Sequence, residues 1–223
     1  MALIAPSLLA ADFARLGEAL GIIKEAGAAM VHVDVMDGHF VPEISVGQPV
    51  VQGVRKATDL VLDVHLLIER PERYIPEFAE MGADRLAIHA EATPNLHRAL
   101  GMIRTSGAKA GLALNPSTAV ESVVDLLGAI DYLLILSADL GFANASYLPR
   151  TTQKVQSAWA LRSERRLDFA IQVEGSIGEE QVGALVDAGA DILVAGSDIF
   201  VENPRERLAK LMLAASSRRV SRI

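Results

Sequence analysis

The stretch EAGAAMVHVDV at residues 25–35 returns in altered form as EMGADRLAIHA at 80–90, TSGAKAGLALN at 105–115 and DAGADILVAGS at 187–197. Each copy runs from a helix end through a glycine and a small residue into an apolar run. Gly27, Gly82, Gly107 and Gly189 stand where a helix ends by turning left-handed. Strand after helix after strand means a parallel sheet covered by helices. Working outward, eight runs rich in Val, Ile and Leu are found, at residues 4–9, 31–36, 61–67, 85–89, 110–114, 132–136, 170–174 and 192–195. Their mean separation of roughly 27 residues suits one strand, one helix and two connections. Eight units in one chain favour a closed (β/α)8 barrel over a doubly wound open sheet, which commonly has five or six strands. The expectation is one α/β domain over residues 1–223.

Composition supports this reading and removes others. The chain has 223 residues, 51% of them hydrophobic, 22% charged and 4% aromatic, with no cysteine, so it is neither disordered nor a disulfide scaffold. With 21 Lys and Arg against 28 Asp and Glu, the net charge of −7 argues against binding nucleic acid through phosphate neutralisation. A small-molecule ligand is expected instead. The start MALIAPSLLAADF has no basic residue before Arg15 and meets Asp12 early, which does not suit a targeting peptide, so a cytoplasmic location is expected. No apolar run approaches the ~18 residues needed to span a bilayer, because Asp125 and Asp131 interrupt even residues 123–136, and no membrane partner is expected. The stretch SSRRVSRI at 216–223 reads as a frayed basic tail. The high hydrophobic fraction points to a homo-oligomer.

In such barrels chemistry sits at the carboxyl ends of the strands. Side chains alternate along a strand, so in VHVDVMDGHF His32, Asp34 and Met36 share one face while Val31, Val33 and Val35 take the other. The next run, LVLDVHLLI, puts Asp63, His65 and Leu67 on one face. Two histidines and an aspartate from adjacent strands can surround a divalent cation. The seventh run, FAIQVEGS, presents Gln172 and Glu174 on one face, so Asp34 and Glu174 approach a central ligand from different sides. A single histidine on an apolar strand is commonly a hydrogen-bonded core residue. Four ionisable groups at the rim of three strands make a site, because buried charge without a partner is costly. His39, His89 and His97 are read as structural.

Gly175 and Ser176 after the seventh run, and Gly196 and Ser197 after the eighth, lie where barrels of this type bind phosphate through backbone N–H groups, although each also reads as a plain tight turn. Gly141, Phe142, Ala143 and Asn144 after the sixth run form a candidate third wall.

Through IAPSLLAADF, VHVDVMDGHFVP, LDVHLLI, GLALNP and VAGSDIF the chain resembles the ribulose-phosphate 3-epimerase family over nearly its whole length. The resemblance implies a (β/α)8 barrel that interconverts ribulose 5-phosphate and xylulose 5-phosphate at C3, placing the protein in the pentose phosphate pathway or Calvin cycle. It implies a divalent metal, Zn2+ or Fe2+ with Mn2+ or Co2+ as alternatives, held by His32, Asp34, His65 and Glu174. Asp34 and Glu174 would be the acid/base pair, Ser7 and His65 would contact the ketose phosphate, and Met36 would line the pocket floor. The family assembles from dimer to hexamer. The chemistry agrees, because a proton beside a ketone is removable only when the resulting enediolate is stabilised, and inversion needs one carboxylate on each face.

The chain departs from the family pattern at four places. VEGS stands where the family has VDGG, which makes Glu174 one methylene longer and is expected to displace its carboxylate by about an ångström unless the backbone adjusts. LGFANA replaces PGFGGQ, and Ala143 is expected to be strained if its backbone takes a positive φ. Leu67 and Leu136 replace pocket methionines, and FVPE puts Glu43 on the rim. Ala143 and Ser176 match the related allulose 6-phosphate 3-epimerases. Alternative readings are therefore a C3 epimerase of another ketose phosphate, or a barrel that binds metal or sugar phosphate without catalysis.

Overall fold

Eight apolar runs bounded by turns become eight parallel strands in the computed structural model, which describes residues 1–142 and 145–217. They are β1 (Leu3–Pro6), β2 (Met30–Met36), β3 (Val61–Leu67), β4 (Arg85–His89), β5 (Lys109–Leu114), β6 (Tyr132–Leu136), β7 (Ala170–Glu174) and β8 (Ile192–Ala195). β1 stops earlier than its apolar run suggests. The Ser7 hydroxyl accepts the Leu9 N–H at 3.3 Å and caps a 3₁₀ turn over Leu8–Ala10, a local bond that competes with the sheet.

The sheet order β1-β8-β7-β6-β5-β4-β3-β2 follows the chain around a ring, and a single parallel bridge between Ser7 and His32 brings β1 against β2. An open doubly wound order is excluded. The closing bridge falls on two residues that the sequence marks as functional.

The strands alternate with α1 (Leu16–Glu25), α2 (Gln48–Ala57), α3 (Ile75–Glu80), α4 (Leu96–Thr105), α5 (Thr151–Glu164), α6 (Glu179–Ala188) and α7 (Pro204–Ser217). Between β5 and β6 the expected helix is instead a 3₁₀ segment, Val120–Ala129. Its buried Val120 and Val123 are three residues apart, the spacing that stacks side chains in a 3₁₀ turn, and β-branched valines are weak α formers. Gly27, Gly82, Gly107 and Gly189 all have positive φ, as the repeated joint requires. Gly189 is also needed for space, since a Cβ there would lie 2.6 Å from the Trp159 ring. Ser216 and Ser217 close α7, and the rest of the basic tail, residues 218–223, lies outside the described residues. Among the described residues no helix is long and apolar enough to cross a membrane.

Two layers of packing follow from the period-two pattern. Val31, Val33 and Val35 face outward and join Ile23, Val54, Leu100 and Leu208 of the helices in one continuous core. The barrel interior is mixed. Ala87, Ala113, Tyr132 and Leu134 pack there, and so does an ion-paired group centred on Asp63. Asp63 Oδ1 accepts from Arg85 Nε at 3.0 Å and the Tyr132 hydroxyl at 3.2 Å, while its Oδ2 accepts from Gln172 Nε2 at 2.6 Å. Arg85 Nη2 also donates to Gln172 Oε1 at 2.6 Å, and its guanidinium lies 3.9 Å over the Tyr132 ring.

Tyr132 fits only because residue 111 is glycine, since a Cβ at Gly111 would fall 2.2 Å from the tyrosine Cζ. Gly111→Ala is expected to overpack the interior at a cost of about 3 kcal/mol. Thermal unfolding checks this, with an expected drop in Tm of roughly 6–12 °C for a domain of this length.

Candidate active site and metal centre

Adjacent strands in register bring the interior polar residues together. Asp34 of β2 pairs with His65 of β3, and Leu136 of β6 pairs with Glu174 of β7. His32, Asp34, His65 and Glu174 are all buried, and one ligand atom from each lies within 4.8 Å of the others. Around this cluster His32 Nε2 is 3.2 Å from Asp34 Oδ1 and 3.4 Å from Glu174 Oε2. His65 Nδ1 is 3.1 Å from Asp34 Oδ1 and 3.0 Å from Glu174 Oε2. A tetrahedron with bonds of ~2.0–2.1 Å has edges of about 3.3–3.4 Å, so these separations fit one small cation at the centre.

A second observation supports the fit. Glu174 Oε2 is buried and forms no hydrogen bond, although it faces two imidazole nitrogens. An orphaned carboxylate oxygen costs free energy unless a cation or proton satisfies it. The additional methylene of Glu174 therefore does not take its carboxylate away from the cluster. The Ser137 N–H and hydroxyl both donate to the Glu174 carbonyl, at 2.6 and 2.8 Å, and fix the backbone from which the side chain reaches.

Each partner is held from behind. Ser7 donates to Asp34 Oδ2 at 2.8 Å, leaving Oδ1 toward the imidazoles. His32 Nδ1 lies 2.7 Å from Asp63 Oδ2, and a carboxylate only accepts, so Nδ1–H donates and Nε2 is the nitrogen turned toward the cluster. Burial alone would push both imidazoles down and Asp34 up. The carboxylates of Glu174 and Asp34, joined by Asp63 at His32, reverse this and hold both imidazoles above their ordinary range. His32 and His65 in turn hold Asp34 well below the usual carboxylate range. Burial likewise opposes ionisation of Asp63, yet His32 and Arg85 keep it below that range.

Above the cluster, Ser7, Asp34, Glu174, Gly175, Ser176, Gly196 and Ser197 line one cavity of about 190 Å3. The turns read as phosphate-binding or plain thus share a cavity with the two carboxylates. Gly175 has φ +117°, and a Cβ there would meet the Ala138 backbone nitrogen at 2.8 Å. Ser176 sits at φ 50°, a conformation rare for a side-chain residue and common at ligand sites. Its hydroxyl donates to the Ala145 carbonyl at 2.8 Å and ties the loop after β7 to the loop after β6.

Met36 packs with Val41, Leu67 and Leu136 in a buried apolar group at the ends of β2, β3 and β6. Gly141 and Phe142 are outside the described lining of the cavity; Gly141 has φ +78° against Val41, and Phe142 is exposed. Ala143 and Asn144 lie outside the described residues. Glu43 is exposed and contributes nothing to the cluster. A larger cavity of about 720 Å3, beside the 3₁₀ segment and α5, contains none of the four cluster residues.

Of the three histidines read as structural, His39 and His97 are exposed, whereas His89 is buried with its Nε2 2.9 Å from His65 Nε2. Burial and the neighbouring His65 push His89 down to about 4 against the pull of Glu91, so it is neutral near pH 7. Its position follows from the alternation that places Arg85, Ala87 and His89 on the interior face of β4, a signal present in the sequence.

Comparison with known proteins places these residues in context. The model of the ribulose-phosphate 3 epimerase family matches residues 3–200. A ribulose-phosphate 3-epimerase of Bacillus subtilis is 42% identical over 205 residues, covering 92% of this chain and 94% of the relative. One from Synechocystis is 44% identical over 199 residues, covering 88% of this chain and 86% of the relative. Among solved structures, KGPDC from Streptococcus mutans superposes with a TM-score of 0.71 at 14% identity, covering 97% of this chain and 98% of that one. A 3-hexulose-6-phosphate synthase superposes with a TM-score of 0.69 at 18% identity, covering 97% of this chain and all of that one. At such identities the structural likeness is one of fold alone.

Proposed function

Because the chain belongs to the ribulose-phosphate 3-epimerase family, we propose that it interconverts ribulose 5-phosphate and xylulose 5-phosphate by exchanging the C3 proton between Asp34 and Glu174. The observation that carries this reading is the buried group of four ligand atoms, with Glu174 Oε2 left without a hydrogen bond. His32, Asp34, His65 and Glu174 would hold a divalent cation. Two imidazoles and two carboxylates suit Zn2+ or Fe2+, and Mn2+ or Co2+ next. When bound, the cation supplies Lewis-acid stabilisation of the negative charge that develops on the sugar oxygens.

The side chains divide the remaining work. Asp34, oriented by Ser7, takes the C3 proton on one face, and the Glu174 carboxylate returns a proton on the other, which inverts the centre. Gly175, Ser176, Gly196 and Ser197 would present backbone N–H groups to the phosphate across the shared cavity. Met36, Leu67 and Leu136 exclude water from the floor. A homo-oligomer accompanies this reading, supported by exposed Phe13, Val201 and Leu213, and light scattering on the purified protein tests it.

The central test is exchange of the C3 proton of ribulose 5-phosphate in D2O followed by NMR. The protein as isolated, after chelation, and after addition of Zn2+, Fe2+, Mn2+ or Co2+ should show exchange that chelation removes and at least one metal restores. No exchange under any metal would overturn the epimerase reading. Faster turnover of allulose 6-phosphate than of ribulose 5-phosphate would move the substrate to the hexose.

Metal uptake should also depend on pH. Both imidazoles sit above their ordinary range in the metal-free cluster, and each must lose its proton to ligate. Zinc affinity is therefore expected to rise with pH through the ordinary histidine range of about 6.5 and to go on rising above it, with protons released on binding. Calorimetry in buffers of different ionisation enthalpy reads that release.

A further inference from the structure

The two candidate histidine ligands differ in how they are held. His32 rests directly on the carboxylate of Asp63, whereas His65 Nε2 meets another imidazole, His89 Nε2, at 2.9 Å. Behind His89, Nδ1 lies 3.1 Å from Glu91 Oε2. Glu91 leaves the end of β4 for the rim, where its Oε1 accepts the Asn115 N–H at 2.9 Å and the Thr118 hydroxyl. These bonds, with the contribution of His89, hold Glu91 down to about 2 against the partial desolvation of its carboxyl.

We propose that Glu91 is a positioning residue that acts through His89 to present the Nδ1 lone pair of His65 to the metal cluster. The inference rests on the metal reading of that cluster, and its argument is one of donors and acceptors. A carboxylate can only accept, so His89 Nδ1–H donates to Glu91. At 2.9 Å the two facing Nε2 atoms share a single proton, and with the His89 proton committed to Nδ1 it is His65 that supplies it. His65 donates to His89 from Nε2–H, so that Nδ1 is the nitrogen left to face Asp34 and Glu174, 3.1 and 3.0 Å away, and to present its lone pair when a cation displaces the proton there. Two carboxylates thus fix two tautomers, Asp63 directly and Glu91 through one intervening ring.

Glu91→Gln is the informative substitution because it preserves the shape and reverses one polarity. The Asn115 N–H and Thr118 hydroxyl still require an acceptor, so the glutamine carbonyl stays with them and its NH2 turns to His89. His89 Nδ1 must then accept, its proton moves to Nε2, and His65 is driven to carry its proton on Nδ1. The ligand lone pair is lost while the loop anchorage remains.

The experiment measures zinc affinity by chelator competition in the wild type, Glu91→Gln and Thr118→Val, and records the histidine ring nitrogens by 15N NMR in metal-free and zinc-loaded protein. Glu91→Gln should weaken zinc binding about 10- to 100-fold, and the metal-free spectrum should show the His89 proton moved from Nδ1 to Nε2. Thr118→Val, which leaves Glu91 Oε2 on His89, should retain the wild-type tautomer and affinity within about threefold. An unmoved His89 proton in Glu91→Gln overturns the inference, and so does a moved proton with unchanged zinc affinity. A wild type that takes up no zinc would instead defeat the metal reading, and the nitrogen spectra alone would then decide whether Glu91 sets the tautomers.

Discussion

Asp34→Asn is expected to lower turnover of ribulose 5-phosphate by at least about 10³-fold, since on the proposed mechanism it removes the proton acceptor and an anionic ligand at once. Asp34 is the hub of the cluster. Its Oδ1 lies between His32 Nε2 and His65 Nδ1, and its Oδ2 receives the Ser7 hydroxyl. An asparagine of the same shape still fills the interior, so the barrel should remain folded, and a melting curve close to wild type would separate lost chemistry from lost structure. Exchange of the C3 proton should fall together with net turnover. If exchange persisted within tenfold of wild type, Asp34 would not be the base, and the proton would have to pass through another group. Ser7→Ala should do less, since it frees the orientation of Asp34 without removing the carboxylate; a loss of about tenfold is expected, mainly in kcat.

The barrel itself was legible because its signal is repetitive. The Gly-containing joint recurs at 27, 82, 107 and 189, and the apolar runs at 61–67, 85–89, 132–136, 170–174 and 192–195 coincide with strands residue for residue. Where the reading missed, a local hydrogen bond or a side-chain packing demand decided the backbone. Ser7 caps a turn and ends β1 early, and Val120 with Val123 tightens a helix into 3₁₀ geometry.

The cluster was legible for a related reason, since period-two alternation on β2, β3 and β7 puts His32, Asp34, His65 and Glu174 inside. What alternation along one strand does not reveal is contact across the ring. His89 reads as the end of an apolar strand, and only the register of β3 against β4 shows its ring against His65. Arg85 shares the interior face of β4, and only contact across the barrel shows it reaching Asp63 and Gln172 and neutralising the carboxylate that orients His32. Gln172 shares the inward face with Glu174 as expected, but its role in closing that network depends on β7 lying opposite β3.

Glu174 carries the other large effect. Glu174→Gln should abolish measurable epimerisation, a loss of about 10³-fold or more, because the amide neither returns a proton nor balances the charge facing His32 and His65. The reverse departure is the sharper experiment. Family resemblance would make Glu174→Asp a restoration, whereas the geometry here makes it a retraction. The carboxylate already stands 3.0 Å from His65 Nδ1, and its strand end is fixed by two hydrogen bonds from Ser137 and by Gly175, which has no room for a Cβ against Ala138. Shortening the side chain by a methylene withdraws the oxygen by about an ångström from a backbone that cannot follow. Misplacement of that size costs ~10²-fold in a positioned reaction, so Glu174→Asp is expected to be slower than wild type by about that factor and to bind zinc more weakly. A Glu174→Asp variant as fast as wild type would mean that the backbone at β7 yields after all, and that Ser137 and Gly175 do not hold the distance.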